Sequence, residues 1–346
     1  MERLKGMTLT INTNVSSLIA QRNLTSATNS LNTSLERMST GFTINHAADN
    51  AAGYSIAKQW VTQISSLDIT AKNAATGADM LSTAEDSYSL LTDHLQRVRD
   101  LTEQAANGTY GSASLRAIQA EVAARLQEIN RISANVEFNG IKLMSYSKKS
   151  GADNSKVGLT QNGVNIQVGL YAETNSRINL SIDLFSDASM SGLFASMSGT
   201  SESGKTLTQL LEGAGANTTL NLQSDRDIQS FAAACSGLKY REATKDFVLQ
   251  ANKDMGAKEM LKFLDSAIND ISGRVTEIGA AQNRITSAIS ALDVQSQNLT
   301  SSLSTLRDTD VASESSKYIQ AQILQQASAT LLSTANQLPS VALNLI

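Results

Sequence analysis

The sequence predicts a mainly α protein: a long antiparallel helical coiled-coil or bundle rod formed by both termini, with a β-hairpin and a small central α+β or irregular outer domain. Three observations carry this reading. Apolar residues recur at steps of three and four over long stretches at both ends, the period of a helix face that needs partner helices. A short segment near residues 164–182 alternates with period two. The residues between that segment and the second helical stretch are rich in Gly, Ser and Thr with weak periodicity.

In chain order, Leu18, Leu24, Leu31, Leu35 and Met38 make a first amphipathic stripe. From Ile56 a second stripe runs through Trp60, Ile64, Leu67, Ala71, Ala74, Ala78 and Leu81, then Tyr88, Leu91, Leu95, Val98, Thr102 and Ala105. That is about 50 residues, or roughly 75 Å of helix. Asn107-Gly108-Thr109-Tyr110-Gly111 breaks it. A third stripe from Leu115 to Val136 stops at Asn139-Gly140. Residues 145–163 read as loop. Val164–Val168 and Ile178–Ile182 read as two strands of a hairpin near 164–184. Residues 186–225 carry weak periodicity, and 226–255 read as helix plus loop. From Leu261 to Leu306 a seam alternates steps of three and four, interrupted only at Gln282 and Ser296. A last stripe runs from Tyr318 to Leu338.

Composition narrows the function. Charged residues are 17%, against roughly a quarter in average chains. One Cys, Cys235, excludes an intramolecular disulfide and any multi-thiolate metal site. Two His, His46 and His94, leave no material for a His-rich metal centre, and neither has a Ser or Cys nucleophile beside it. Both read as surface or helix-face residues, and Cys235 in its Ala-rich patch reads as a buried, inert thiol. A net charge of −4 argues against a nucleic-acid partner. No run of about 18 apolar residues exists to span a membrane. The first 21 residues lack the apolar core and cleavage site of a secretory signal. No cofactor and no catalytic residue is expected.

One motif runs against this picture. Gly199-Thr200-Ser201-Glu202-Ser203-Gly204-Lys205-Thr206 fits the P-loop pattern in full. Such a loop would wrap a phosphate in backbone N–H groups, with Lys205 on the β/γ-phosphates and Thr206 on Mg²⁺. The strand required before it is missing, and no apolar strand ending in Asp follows to hold the metal. In a Gly/Ser/Thr-rich segment the string reads as exposed loop, and a nucleotide-binding protein built on 199–206 stands only as an alternative.

Several ordered motifs resemble the bacterial flagellins. Near the start these are Ile11-Asn12-Thr13-Asn14, Leu35-Glu36-Arg37-Met38-Ser39-Thr40-Gly41 and Ala47-Ala48-Asp49-Asn50-Ala51-Ala52-Gly53. Leu95–Leu101, Ile118–Glu121 and Glu137-Phe138-Asn139-Gly140 follow. The other end adds Gln282-Asn283-Arg284, Ala321–Ala327 and Ala335-Asn336-Gln337-Leu338-Pro339. The resemblance covers roughly 8–150 and 255–346. Met1–Gly6 precedes the usual family start near Met7, and the final Leu343-Asn344-Leu345-Ile346 lacks the basic residue often found there. The centre resembles no outer domain of the family.

The resemblance implies a structural, non-enzymatic subunit that polymerises into the flagellar filament for swimming motility. It would leave the cell unfolded through the flagellar type III channel, with no cleaved signal peptide, and reside outside the cell. A hook–filament junction protein shares the architecture and is the alternative within the class. The implied partners are further copies of the chain in a helical polymer, the filament cap, hook–filament junction proteins and an export chaperone at the C-terminal helix. Residues 1–46 and 307–346 would form the inner-core coiled coil, 47–187 and 255–306 the rod, and 188–254 the short outer domain. Leu24, Leu31 and Leu35 with Leu324, Leu331 and Leu338 would hold the inner coil. Trp60, Leu67, Leu81, Leu95, Ile271, Ile278, Ile285 and Leu292 would hold the rod. Gln96, Arg97 and Leu101 with Glu121 resemble the patch by which many flagellins are sensed by the vertebrate flagellin receptor of the Toll-like class.

Overall fold

The computed structural model describes residues 14–145, 163–171, 173, 176–195, 225–236, 238–241, 246–249 and 253–343. In order these form α1 (Val15–Thr40), α2 (Ala51–Ala105), α3 (Ser112–Asn135), β1 (Glu137–Phe138), β2 (Ile141–Lys142), β3 (Val164–Gln167) and β4 (Arg177–Leu180). Then come α4 (Met190–Ala195), α5 (Asp225–Cys235), β5 (Leu238–Arg241), β6 (Asp246–Leu249), α6 (Lys253–Arg307) and α7 (Val311–Leu343). The fold is mainly α, and among the described residues every strand pairs with its sequence neighbour in an antiparallel hairpin. The chain divides into two compact units, Met1–Ser66 with Val294–Ile346, and Leu67–Asp293.

The core of the Leu67–Asp293 unit is built on sevens. On α2, Leu67, Ala74, Leu81, Tyr88, Leu95 and Thr102 are buried one heptad apart, and Ala84, Leu91, Val98 and Ala105 form a second row. Along α6, Leu264, Ile271, Ile278, Ile285 and Leu292 repeat the spacing, and α3 contributes Leu115, Val122 and Ile129. A strict seven-residue repeat keeps one face of a long helix against its partners along its whole length. Between the seams run polar ties: Arg99 Nε donates to Asp265 at 2.6 Å and Gln282 Nε2 to Glu85 at 2.8 Å. The expected rod residues Leu67, Leu81, Leu95, Ile271, Ile278, Ile285 and Leu292 are buried, while Trp60 is only half-buried and lies in the other unit.

The hairpins follow local chemistry. Asn139 and Gly140 take positive φ of 48° and 79°, the two-residue turn that matches strand twist, and bring Phe138 opposite Ile141. In β3–β4, Ile166 faces Ile178 and both are buried in the core, together with Leu180. The sequence places these strands within two residues of their observed ends. The second strand stops at Leu180 because Ser181 caps a 3-10 turn over Ile182–Phe185. That turn is held by two buried donors: Tyr88 Oη gives a hydrogen bond to the Leu184 carbonyl at 2.8 Å, and Arg274 gives one to the Ser186 carbonyl at 2.9 Å. One reading is corrected. Residues 226–255 contain α5 but also the hairpin β5–β6, with Leu238 opposite Leu249. The run Asp246-Phe247-Val248-Leu249 carried a strand signal that its polar flanks diluted.

Cys235 is buried against the core, and burial pushes its thiol up to about 12, with a Thr102 hydrogen bond opposing. The candidate loop residues Gly199, Gly204, Lys205 and Thr206 lie outside the described residues, as do 146–162. Leu95→Ala removes a side chain from the middle of the heptad seam and should lower unfolding free energy by about 2–5 kcal/mol. Ile69→Ala, at an exposed site on the same helix, should change it by about 0.5 kcal/mol or less. Chemical denaturation of the two variants checks the contrast.

Candidate assembly interface

The terminal unit holds α1 and α7 with the start of α2 and the end of α6, and local residues set the ends of α1 and the start of α7. Asn14 caps α1 by accepting from the Ser17 N–H, and Gly41 ends it in the left-handed conformation at φ 76°, donating to the Arg37 carbonyl. Asp310 caps α7 through the Ala312 N–H at 2.9 Å. Beyond these ends the chain clamps itself: Thr43 N–H donates to the Arg307 carbonyl at 2.6 Å and Thr309 N–H to the Gly41 carbonyl at 2.9 Å. The Arg307 guanidinium lies 3.7 Å over the Phe42 ring. A little further on, the Asp49 carboxylate accepts from the Asn45 and His46 N–H groups, and these backbone bonds hold it below its ordinary value.

The seam between α1 and α7 differs from the leucine seam expected. The buried residues are Ala20, Ala27 and Ser34 on α1, and Glu314, Ala321, Ser328 and Ala335 on α7, each row stepping by seven. Leu35, Leu324 and Leu331 are 53%, 51% and 62% exposed, so they do not hold the pair together. Leu24 and Leu31 are half-buried, and the Leu338 side chain lies outside the described residues. The physical reason is size. Where Ala and Ser stand at heptad spacing two helices come close, and the bulky residues beside them turn to the outer faces. The signal was present as a repeat of small residues, which a search for leucines passes over.

The result, among the described residues, is a set of large apolar side chains left exposed. Leu18, Ile19 and Leu35 on α1, and Ile319, Ile323, Leu324 and Leu331 on α7, are all exposed large hydrophobics. Several hydroxyls on the same helices are already bonded to their own backbone. Thr25, Thr33 and Thr40 on α1, and Ser316 and Thr334 on α7, each donate to the carbonyl four residues back at 3.0 Å. A hydroxyl bonded to its own helix loses little when water is removed from it. Large exposed apolar side chains among hydroxyls bonded to their own helix make this surface a candidate protein–protein contact.

Charge is concentrated at one end of this pair. Glu314 is 2% exposed, with Lys317 Nζ at 3.0 Å and Arg37 Nη1 at 4.0 Å. Burial works to raise the Glu314 carboxyl, but bonds from Lys317 and Ser34 and the nearby cations outweigh it and hold the group below its ordinary 4.5. At the rod, Arg97 Nε donates to Glu121 at 2.9 Å and Arg125 approaches the same carboxylate at 3.9 Å, both on an exposed surface beside Gln96. Leu101 is a correction: at 2% exposure it belongs to the core seam and offers nothing to an outside partner. His46 meets Glu36 at 3.2 Å on the surface, and His94 lies 3.4 Å from Arg125. Among the described residues no helix is long and apolar enough to cross a membrane.

Paired terminal helices that enclose small residues and turn leucines outward, beside a heptad-built helical unit, define a mainly α class of protein with large apolar side chains on its surface. Comparison with known proteins identifies the class. Residues 11–149 match the bacterial flagellin N-terminal helical region, and residues 261–346 match the bacterial flagellin C-terminal helical region. Polar flagellin F of Vibrio parahaemolyticus is 34% identical across 98% of this chain and its own full length. Flagellin B of Vibrio cholerae and flagellin D of Vibrio anguillarum are each 33% identical over the same shares. The chain belongs to the bacterial flagellin family.

The sign of the Glu314 shift gives a pH dependence. A carboxyl lowered on folding contributes stability that is complete above its ordinary value and is lost as pH falls through the lowered value. Protection of the α7 amides in hydrogen exchange should therefore hold above pH 4.5 and decline below it. In Glu314→Gln that acid-dependent part of the decline should be reduced.

Proposed function

We propose that this chain is a structural subunit of an extracellular flagellar filament that drives swimming, exported unfolded through the flagellar type III channel and without enzymatic activity. The observation that carries the proposal is the outward apolar face of the α1–α7 pair, with Leu35, Leu324 and Leu331 more than half exposed. Identical subunits joined by heterologous contacts that do not close make an open helical polymer, and each added copy covers the leucines of its neighbours. Family membership supports the same reading. A chain without a disulfide, and with one proline, suits export in the unfolded state and fast refolding outside. The cap, the junction proteins and an export chaperone at the C-terminal helix are the partners such a route requires.

Folding and assembly are then partly one event. A helix pair with a thin seam of Ala and Ser buries little apolar surface, so α1 and α7, already aligned in the single chain, gain much of their stability when neighbours cover them. The Leu67–Asp293 unit has its own continuous core, so it needs no neighbour to bury its seam. Gln96, Arg97 and Glu121 also form an exposed charged patch like that by which many flagellins meet the vertebrate receptor of the Toll-like class. Arg97 is the donor of that patch, and it must exchange its Glu121 bond for one to the receptor.

Removing residues 1–46 and 307–346 should leave a soluble, cooperatively melting helical monomer that forms no filaments in negative-stain microscopy with seeds. Filaments from that truncated chain would overturn the assignment of the termini. Leu331→Asp in the full chain should fail almost as completely, because each copy would carry an unpaired charge into the packed interior, at a cost of several kcal/mol. Arg97→Ala should weaken receptor signalling by monomers by about 2 kcal/mol or more in binding. Leu101→Ala should instead act by lowering the melting temperature.

A further inference from the structure

The seam between α1 and α7 contains an ambiguity. Its bonds define one antiparallel register: Asn14 Nδ2 donates to the Ala335 carbonyl at 2.7 Å, Ser17 Oγ to Asn336 at 2.6 Å and Gln325 Nε2 to Thr28 Oγ1 at 3.2 Å. At that register Ala20 stands at the level between Ser328 and Ala335, Ala27 between Ala321 and Ser328, and Ser34 between Glu314 and Ala321. Because both rows repeat every seven residues and are almost all Ala or Ser, sliding one helix by a heptad would again set small residues against small. Packing alone therefore distinguishes poorly between registers.

Glu314 breaks that degeneracy. It is the one large member of the small-residue rows, and the pair holds very little other charge. Between Val311 and Leu343 the charged residues are Glu314 and Lys317, and between Arg22 and Glu36 α1 has none. A slip that set Glu314 beside Ala27 would leave the carboxylate with only Lys317 of its own helix and no cation across the seam. A slip the other way would carry it away from Arg37 and Ser34. Its site is also incompletely bonded: Glu314 Oε1 and Arg37 Nε, both buried, have no hydrogen-bond partner among the described residues, and the two side chains stand 4.0 Å apart. Such a group adds little net stability but penalises every alternative alignment strongly.

We propose that Glu314, with Arg37 across the seam and Lys317 beside it, is a register lock that fixes the axial alignment of α1 against α7 where the small-residue interface does not. The lock lies next to the backbone clamp at residues 41–43 and 307–309. It concerns the pair within one chain, so it does not depend on the filament reading.

Engineered disulfides in the dilute full-length chain read the register directly, since the buried Cys235 thiol, raised to about 12, stays silent. The pair Thr28→Cys with Gln325→Cys reports the observed register, and Thr28→Cys with Tyr318→Cys reports a slip of one heptad. With Glu314 present, oxidation should close only the first pair, seen as a mobility shift of the monomer in denaturing gels. Glu314→Ala extends the small-residue row without a folding penalty from size, and there the second pair should close as well. Arg37→Ala should release the slipped register too. Exclusive closure of the first pair in Glu314→Ala would mean that the clamp alone sets the alignment and would overturn the lock. Closure unchanged in Arg37→Ala would remove Arg37 from it. Failure of the first pair to close in the otherwise unaltered chain would also refute the proposal, because no fixed register would exist to be locked.

Discussion

The thinness of the α1–α7 seam governs much of the rest. Ala20, Ala27 and Ser34 meet Ala321, Ser328 and Ala335, and residues this small bring the helix axes together while burying little apolar area. The large side chains are left outside. A helix pair of this kind has a thin inside and large apolar side chains outside, the reverse of an ordinary globular core. In the proposed filament, the pair gains stability from whatever covers Leu35, Leu324 and Leu331.

The Leu67–Asp293 unit is organised on the opposite principle. Leu, Ile and Tyr fill its heptad rows, and Arg99, Gln282 and Arg274 tie helix to helix or helix to turn with specific hydrogen bonds. Buried polar donors such as Tyr88 and Arg274 are each matched to a carbonyl, so the unit is self-sufficient in its hydrogen bonds at these points. The same α2 and α6 helices carry both kinds of surface at different levels, inward leucines in one unit and exposed Ile56 and Val294 in the other. Low charge is common to both. Hydroxyl side chains replace it, and most of those bonded do so to their own helix, which makes the surface inexpensive to dehydrate without making it greasy.

The rod seam was legible because large apolar residues recur at a fixed period and nothing else in those stretches competes for the inside. The β3–β4 hairpin was legible because alternation and the Ile166–Ile178 pairing agree. The Asn139-Gly140 turn was visible as a stop, and its positive φ pair makes it a reversal. The α1–α7 seam was misread for a definite reason. Hydrophobicity ranks Leu331 far above Ser328, but the inside of a close helix pair is chosen by size, and there Ser328 is buried while Leu331 is exposed. Leu101 was misassigned in the other direction: its neighbours Arg97 and Gln96 are exposed, and a helix turns from surface to core within four residues. Glu314 gave no signal at all in the sequence, since a lone acidic residue three positions before a lysine looks like any solvated pair.

The central claim is that the outward leucines are covered by other copies of the chain and not by the chain itself. Thiol labelling of a Leu331→Cys variant in the soluble chain and in the sedimented polymer tests this directly, with the buried Cys235 contributing no background. The account predicts labelling close to that of a free thiol in the soluble chain and strong protection in the polymer, the loss of access that burial at an interface core brings. Equal labelling in both states would contradict it.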